Sequence, residues 1–213
     1  QIELTSGQTL WIDEGAVVYA CITARGANNI RIIGRGILDN SRNKEQILFE
    51  HNAVDNFAAV DNAVRQHCIQ FDYCTDVLVD GITIRDSLLY NIRPVCCTDL
   101  TIRNVKIIGC WRYNSDGIDS HNCRNMHIQN CFLRTFDDSI CVKGMDFTLS
   151  ESDMHYNGVN YNTAEDILVE DCTIWNDWGT ALEIGAETRA DEIKNLIFRN
   201  CNIIHVTGPA LGC

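Results

Sequence analysis

The stretch Asp99-Leu100-Thr101-Ile102-Arg103-Asn104-Val105-Lys106-Ile107 contains the pattern that organises the whole chain. It opens with Asp, alternates apolar and polar residues, and then brings a second short apolar pair, Val105 and Ile107. Alternation at a period of two is typical of a β-strand with one buried face. The same pattern returns with openings at Asn29, Asp76, Asn125, Asp166 and Asn195. Such self-similarity is typical of a solenoid.

The spacing of these units predicts the architecture. Successive openings are separated by 47, 23, 26, 41 and 29 residues. Three strands fit the shortest interval, and the long intervals imply insertions. Because parallel crossovers are almost always right-handed, we expect an all-β, right-handed parallel β-helix of six coils. It forms a single domain over residues 1–213, with insertions at 39–67 and 144–163.

The first unit, the two insertions and the C-terminal stretch depart from the regular repeat. In the first unit the second apolar pair is assigned to Arg35 and Ile37, which fit the pattern less well. The first insertion has a helix-like pattern around 54–64, and the second is a polar loop that we expect to line a substrate cleft. The stretch 208–213 stops in mid-coil, so we expect a truncated solenoid, incomplete at its C-terminus. Its open end could self-associate.

Repeated columns account for much of the composition. The chain has 12 cysteines but no Cys-x-x-Cys pair, so a zinc ribbon is not indicated. Cys131, Cys172 and Cys201 recur at one inward position, where cysteine serves as a small apolar core residue. The position just before them holds Asn130, Asp171 and Asn200, which tolerate left-handed turns and can stack their side chains along the axis.

Charge and hydropathy limit the classes of partner. The formal net charge is −12, and no Lys/Arg run offsets it. A protein this acidic repels nucleic acid and anionic membranes. No stretch approaches the 18 apolar residues of a membrane span. We therefore expect neither nucleic acid nor membrane as a partner, and no signal-peptide pattern precedes the repeats.

Acidic residues gather on one strand of successive coils. The stretches 115–120, 137–143 and 179–185 align, with Ile118, Ile140 and Leu182 pointing inward. Strand alternation then places Asp119, Cys141 and Glu183 on an exposed outer face, with His121 and Lys143 two residues further on. Asp116 and Asp138 share a column just ahead of the strand, and Asp137 lies beside them.

Such crowding of carboxylates indicates chemistry. Like charges at adjacent rungs raise the pKa of at least one carboxyl. A protein uses this either to bind a cation or to set up an acid and a base. Inverting glycosidases need both a protonated carboxyl and an ionised one that activates water.

The motifs themselves resemble those of the polygalacturonase family, glycoside hydrolase family 28. Asn114-Ser115-Asp116-Gly117-Ile118-Asp119 is similar to the family's Asn-Thr-Asp-Gly-Ile-Asp. Asp137-Asp138-Ser139-Ile140-Cys141-Val142-Lys143 is similar to its Asp-Asp-Cys-Ile-Ala-Ile-Lys. The resemblance implies a metal-free, cofactor-free inverting hydrolase of pectin-type polysaccharides that is secreted or periplasmic. It makes Asp137 the general acid and Asp116 and Asp138 the bases that hold the attacking water.

The chain departs from the family pattern in two places. The family's Gly-His-Gly-Ile-Ser-Ile-Gly is Gly179-Thr180-Ala181-Leu182-Glu183-Ile184-Gly185 here, so Thr180 replaces a histidine. The family's Arg-Ile-Lys motif, which helps to bind the uronate carboxylate, has no counterpart. We expect the substrate to contact Asp119, His121, Lys143, Thr180, Glu183 and Trp178. Trp175 is an alternative stacking residue.

Several functions remain open on the residues alone. A dextranase-type enzyme (glycoside hydrolase family 49) uses three aspartates on the same fold to cut neutral glucan. A calcium-dependent pectate lyase would use the carboxylates to bind Ca²⁺ and Lys143 or Arg134 as a base. A non-catalytic carbohydrate-binding or structural β-helix would explain both departures. For the inverting hydrolase we expect a carboxyl separation of about 6.5–9.5 Å.

Overall fold

A computed structural model describes residues 1–42, 67–144, 154–186 and 188–213. All regular elements in these ranges are β-strands. The described ranges contain no helix that is long and apolar enough to cross a membrane.

Three parallel sheets, here called A, B and C, run along one axis. Sheet A contains β1 (Ile2–Glu3), β4 (Ile22–Arg25), β7 (Ile69–Asp72), β10 (Ile92–Val95), β13 (Ile118–His121), β16 (Ile140–Lys143), β21 (Leu182–Ile184) and β24 (Leu211–Gly212). Sheet B contains β2 (Thr9–Ile12), β5 (Asn28–Gly34), β8 (Thr75–Asp80), β11 (Thr98–Arg103), β14 (Arg124–Gln129), β19 (Thr163–Glu170) and β22 (Glu192–Arg199). Sheet C contains β3 (Val17–Tyr19), β6 (Ile37–Asp39), β9 (Thr83–Arg85), β12 (Lys106–Ile108), β15 (Phe132–Thr135), β20 (Thr173–Asn176) and β23 (Asn202–Val206).

Each coil contributes one strand to sheets A, B and C in turn, which confirms the right-handed parallel β-helix. The described residues form seven complete coils, one more than the repeat predicted. The additional coil is the first, β1 to β3. Its strand in sheet B pairs in register, Thr9 with Arg31, but Gly7 stands where Asn29 opens the next unit. Both adopt positive φ, 80° and 54°, so glycine meets the same backbone demand without matching the Asn/Asp pattern.

The recurrent Asn and Asp residues adopt left-handed backbone conformations. Asp99, Asn125 and Asp166 lie in the first halves of β11, β14 and β19, with φ between 50° and 57°. The turn between sheets B and C repeats this at Asn104 and Asn130, with φ of 55° and 52°. The Asn130 side-chain amide donates to Asn104 Oδ1 at 2.8 Å, which confirms the predicted stacking along the axis.

The interior is a continuous apolar column. Ile118, Ile140 and Leu182 pair in register and face inward, as the alternation predicts. Cys131 and Cys172 are buried free thiols in the same core, and Cys201 packs against it. The assignment in the first unit was wrong by one residue, because Leu38 rather than Ile37 pairs with the buried Ile84. Gly36 is the other inward residue of this pair, and a glycine does not show as an apolar residue in the sequence pattern.

The two insertions differ in what can be described. Residues 43–66, and with them the helix-like stretch at 54–64, lie outside the described ranges. In the second insertion, β17 (His155–Tyr156) and β18 (Val159–Asn160) form an antiparallel hairpin within the segment expected to be a polar loop. The Tyr156 ring stacks on Tyr73 at 4.3 Å, just beyond the end of β7. The hairpin therefore flanks sheet A at the ends of its strands.

Candidate active site

The outer face of sheet A holds the predicted acidic column. Asp119 pairs with Cys141, and Cys141 pairs with Glu183, on three neighbouring coils. The register prediction is confirmed, but the expectation of an exposed face was wrong. Asp119 and Cys141 have no exposed surface, and Glu183 is 8% exposed. Alternation fixes the direction of a side chain relative to the core, but it does not reveal what packs over it from neighbouring coils.

Asp116, Asp137 and Asp138 converge at the N-terminal edge of this sheet. The Gly117 N–H donates to the Asp138 carbonyl at 2.8 Å, which sets Asp116 beside Asp138 on adjacent coils. One carboxylate oxygen from each of the three aspartates lies within 4.8 Å of the others. Asp116 is buried, whereas Asp137 and Asp138 are partly exposed. The structure therefore forms a compact carboxylate trio open on one side.

Backbone donors hold two of these side chains in place. The Asp137 carboxylate accepts from the Asn114 N–H at 2.8 Å and from the Asp138 N–H at 3.0 Å. The Asp138 carboxylate accepts from the Thr180 N–H at 2.7 Å and from the Cys141 thiol at 3.4 Å. Both carboxylates are thus oriented by groups from neighbouring coils.

Asn176 is a supporting residue that the sequence reasoning missed. It is fully buried, and its side-chain amide donates to the Asp137 carbonyl at 2.7 Å and to Ser139 Oγ at 3.1 Å. The Ser139 hydroxyl also lies 2.7 Å from Thr135 Oγ1. This network fixes the turn that carries Asp137. Asn176 lies in the strand before the acidic stretch, so the motif alignment gave no signal for it.

Burial is the main influence on the pKa values of Asp137 and Asp116. Desolvation raises the pKa of Asp137 to about 6, with a further contribution from the charge of Asp138 and an opposing one from the Asn114 N–H. Burial raises the pKa of Asp116 well above its usual range, and the charges of Asp119 and Asp137 add to the effect. Crowding by like charge was expected to dominate, but desolvation contributes more at both carboxyls.

The separation of whole carboxyl groups is a different quantity from the contact between their oxygens. One oxygen from each carboxyl lies within 4.8 Å of one oxygen from the others, whereas the range of about 6.5–9.5 Å expected for inversion refers to whole carboxyl groups. The expected separation therefore stays a prediction.

A buried charge network lies beneath the trio. Lys143 Nζ is 3.0 Å from Asp119 Oδ2, and the two side chains are 4% and 0% exposed. Burial opposes the charge on Lys143, but the Asp119 carboxylate and the other groups around the ammonium, Asp116 among them, together outweigh it and raise its pKa. Burial raises the pKa of Asp119, and Lys143 opposes that shift.

His121 and Tyr90 complete this network. His121 Nε2 is 3.8 Å from Asp119 Oδ2, and desolvation together with Arg93 and Lys143 lowers the pKa of the imidazole well below its usual range. The Tyr90 ring lies 5.4 Å from Lys143 Nζ and 6.4 Å from the His121 ring. Direct contact with substrate is not open to Asp119 or His121 in this conformation, because both side chains are fully buried. Tyr90 and Arg93 were missed because they precede the acidic motifs by a full coil.

Thr180 and Trp178 are the other residues that the sequence predicted to contact the substrate. Thr180 meets Asp138 through its backbone N–H rather than its hydroxyl. Trp178 is 50% exposed, stacks on Phe136 at 5.8 Å and meets Tyr113 edge-on at 4.9 Å. Phe136 directly precedes Asp137, so this aromatic group borders the trio. Glu187 lies outside the described residues.

Cation binding is geometrically possible at two overlapping places. Within the described ranges, the trio forms one group of potential ligands, and Asp116, Asp119 and Cys141 form another. A hard cation such as Ca²⁺ prefers oxygen ligands, which favours the trio over the thiol-containing group. Exposed acidic groups often lack a metal, so the grouping alone assigns none.

A separate groove of about 980 Å³ lies between sheets B and C. Its lining includes Trp11, Asp80, Lys106 and Phe132, and none of the predicted site residues. The acidic chemistry belongs to the outer face of sheet A, so we place the candidate active site there.

Comparison with known proteins identifies the family. The family model described as glycosyl hydrolases family 28 matches residues 2–209. A polygalacturonase of Gossypium barbadense is 24% identical over 200 residues, covering 86% of this chain and 47% of the relative. A probable polygalacturonase of Vitis vinifera is 30% identical over 80 residues, 37% of this chain and 16% of the relative.

Solved structures show the same fold. An exopolygalacturonase from Thermotoga maritima superposes with a TM-score of 0.71 at 22% identity, covering 94% of this chain and 55% of that one. A polygalacturonase from Erwinia carotovora gives a TM-score of 0.69 at 18% identity, with 91% and 55% covered. The chain spans about half the length of the relatives that it matches over most of its own length.

Proposed function

The chain belongs to glycoside hydrolase family 28, and on that premise we propose that it forms the catalytic part of an inverting glycosidase acting on pectin-type polysaccharide, most closely polygalacturonan. The observation that carries the proposal is the trio Asp116, Asp137 and Asp138, whose carboxylate oxygens lie within 4.8 Å of one another. Hydrolysis of a glycosidic bond needs an acid for the leaving oxygen and a base for water, and the trio can supply both.

Asp137 is the proposed general acid. Its pKa of about 6 keeps a substantial protonated fraction in weakly acidic solution, and its partial exposure leaves it open to a glycosidic oxygen. General acids work best when their pKa lies near the working pH. The Asn114 and Asp138 N–H groups fix the carboxyl, so proton donation needs no reorientation of the turn.

Asp116 and Asp138 are the proposed partners of the attacking water. They lie side by side on adjacent coils, and donors from Thr180 and Cys141 hold Asp138. Burial raises the pKa of Asp116 well above its usual range. We therefore propose that Asp138 takes the proton from the water and that Asp116 helps to orient it. In this scheme Asp119, Lys143 and His121 are positioning residues below the trio.

The close spacing of the trio leaves the stereochemical course to experiment. Separations of about 5–5.5 Å are common in retaining enzymes, where one carboxylate acts as nucleophile. Asp137 and Asp138 are consecutive residues and Asp116 lies beside Asp138 on the neighbouring coil, so the closeness of the trio follows from the scaffold and does not separate the two mechanisms. Inversion is the course that the family resemblance implies.

The lyase alternative gains one observation and loses another. The trio offers oxygen ligands that would suit Ca²⁺. A lyase, however, needs a basic group that can lose its proton. Lys143 is buried against Asp119, which raises the pKa of its ammonium group, and Arg134 Nε is bound to Asp177. Both lyase bases suggested by the sequence are therefore unsuited to the role.

The setting of the enzyme follows from the same proposal. A polysaccharide is the proposed partner, and a secreted or periplasmic location fits a substrate of that size. Self-association through an end of the solenoid stays a prediction. The non-catalytic alternative is favoured only by Thr180 in place of the family's histidine.

A polysaccharide screen tests the proposal. Polygalacturonan, methyl-esterified pectin and dextran are incubated with the chain, reducing ends are measured, and the first product is followed by NMR. We expect new reducing ends from polygalacturonan, with no unsaturated ultraviolet-absorbing product. An unsaturated product would support the lyase. Binding without turnover would support the non-catalytic reading, and cleavage of dextran alone would replace the pectin assignment.

A further inference from the structure

We infer that Trp111, Arg134 and Trp175 form a subsite, separate from the aspartate trio, that holds an acidic sugar unit of the polysaccharide. The inference rests on the proposed function, because it concerns how the same enzyme recruits its substrate. The notable feature is a guanidinium group placed between two indole rings. Arg134 Cζ lies 4.9 Å from the centre of the Trp111 ring and 5.1 Å from that of Trp175.

The scaffold builds this arrangement from consecutive coils. Arg134 in β15 pairs in register with Trp175 in β20, and Trp175 pairs with His205 in β23. These side chains stand on the outer face of sheet C, with the Trp175 and His205 rings 4.7 Å apart. Trp111 reaches Arg134 from the coil before. Strand register therefore fixes Arg134, Trp175 and His205, whereas Trp111 lies in the connection between β12 and β13.

Asp177 orients the guanidinium group without occupying all of it. Its Oδ2 accepts from Arg134 Nε at 3.3 Å, and its Oδ1 accepts from the Trp175 indole N–H at 2.8 Å. Neither terminal Nη atom of Arg134 forms a hydrogen bond to another residue of the described ranges. The side chain is 41% exposed. Packing thus orients the two Nη atoms of Arg134, which can bind a planar anion.

The indole rings around Arg134 suit the apolar face of an acidic sugar. Trp111 is 58% exposed, and large exposed aromatic residues mark binding surfaces when they cluster. Indole faces pack against the apolar face of a pyranose, while a guanidinium group pairs with a carboxylate in bidentate geometry. A uronic acid unit presents both features on one ring. In a chain with net charge −12, the Arg134 guanidinium group would give an anionic polymer one attractive contact, although the Asp177 carboxylate neutralises part of its charge.

The cluster is continuous with the proposed active site. Trp111 precedes Tyr113 by two residues, and Tyr113 contacts both Phe136 and Trp178 edge-on, at 5.6 and 4.9 Å. Arg134 precedes Asp137 by three residues, which limits their Cα separation to about 10 Å, and the chain bends after Thr135. A polysaccharide bound at Asp137 could therefore extend over the aromatic surface to reach Arg134, beyond the sugar that reacts.

Binding of galacturonate oligomers of increasing length tests the inference. Affinity is measured by calorimetry in the Asp137→Asn background, so that turnover does not interfere. We expect Arg134→Gln to weaken binding of long oligomers about tenfold, with little effect on the dimer. The salt dependence of long-oligomer binding should decrease as well, because one charge contact is lost. Arg134→Lys should give an intermediate loss, since it keeps the charge but not the planar fork.

Arg103→Gln is the matched control. Arg103 is 46% exposed and paired with Asp80 at 2.9 Å, but it lies on sheet B, and no aromatic ring of the described residues stacks on its guanidinium group. Equal affinity of Arg134→Gln and its parent for every oligomer length would overturn the subsite, as would an equal loss in Arg103→Gln. Absence of binding by any acidic oligomer to the parent would overturn it too. A parent that binds long oligomers through Arg134 but never cleaves them would leave the subsite standing and refute the proposed hydrolase.

Discussion

The backbone N–H of Thr180 donates a 2.7 Å hydrogen bond to Oδ1 of Asp138 on the preceding coil. The position where the family carries a histidine therefore supports a proposed catalytic carboxylate without using its side chain. Thr180→Ala keeps this bond, and we expect its kcat and KM to stay within about twofold of the parent values. Steady-state kinetics on polygalacturonan provide the check, and a large loss would show that the Thr180 hydroxyl takes part.

The neighbouring glycine should be far more sensitive. A Cβ on Gly179 would lie 2.6 Å from Asp138 N and 2.7 Å from its Oδ1, both too close to be tolerated. Gly179→Ala must therefore displace Asp138 or its turn. A misplaced catalytic group can cost about 10²-fold in rate, so we expect a loss of that order in kcat. Thr180→Ala is the adjacent control. Full activity in Gly179→Ala would argue against a role for Asp138.

The buried pair Asp119 and Lys143 should dominate local stability. Removing one partner of a buried ion pair leaves an uncompensated charge and costs about 3–5 kcal/mol. We expect Lys143→Met to lower the free energy of unfolding by that amount in urea titrations, and Asp119→Asn in the same chain to restore part of it. Lys194→Met is the control, because Lys194 is 41% exposed in its pair with Glu192 and should cost less than about 1 kcal/mol. A small loss in Lys143→Met would mean that water reaches the pair.

Much of the fold could be predicted because the β-helix repeats its local physics. The openings at Asp99 and Asn125 signal left-handed turns, and alternation identifies inward residues such as Ile118 and Ile140. The first coil escaped because Gly7 meets the same turn requirement with a residue that carries no pattern. The apolar pair of the first unit was assigned one residue too early because its inward position 36 is a glycine, which also carries no pattern.

The sequence predicted where the site residues lie in the fold better than it predicted how deeply they are buried. Sequence alignment of coils brought Asp116 and Asp138 together correctly, since register follows from the repeat. It could not show that Asp119 is buried, because the covering residues, such as Tyr90, come from another coil. The Arg134 cluster escaped for the same reason, as Trp111 and Trp175 are distant in sequence.

Stability should decrease as the pH rises through the weakly acidic range. The pKa of Asp137 is raised to about 6 in the folded chain, so its contribution to stability is full below about pH 4 and is lost as pH rises through 6. One pKa unit corresponds to about 1.4 kcal/mol, so the change amounts to about 3 kcal/mol. Burial of Asp116 extends the decline to higher pH. Asp137→Asn should remove the part between about pH 4 and 6, as measured by urea unfolding at several pH values.

A surface substitution controls this experiment. Asp99→Asn changes an exposed turn residue that already has φ of 57°, a conformation that asparagine accepts. We expect the pH dependence of stability to survive in Asp99→Asn. An unchanged slope in Asp137→Asn would place the titration on other groups.

Chelation should leave hydrolysis intact. The proposed mechanism uses only carboxylates and water, although the trio could hold a cation. We expect the rate of reducing-end release in excess EDTA to match that in untreated protein. A loss in EDTA that added Ca²⁺ reverses would instead favour the lyase, and an unsaturated product in the same assay would identify it.

The division of labour within the trio gives the last prediction. Asp137→Asn keeps the size of the side chain but removes the transferable proton, so kcat should decrease by about 10²–10⁴-fold while oligomers still bind. Asp116→Asn and Asp138→Asn should also lower kcat, because both residues are proposed to orient or activate the water. The pH profile separates the roles, since loss of the acid should abolish the decline in kcat above about pH 6. NMR of the first product should show an inverted anomeric configuration. Near-normal turnover in Asp137→Asn, or retention of configuration, would contradict the proposed mechanism.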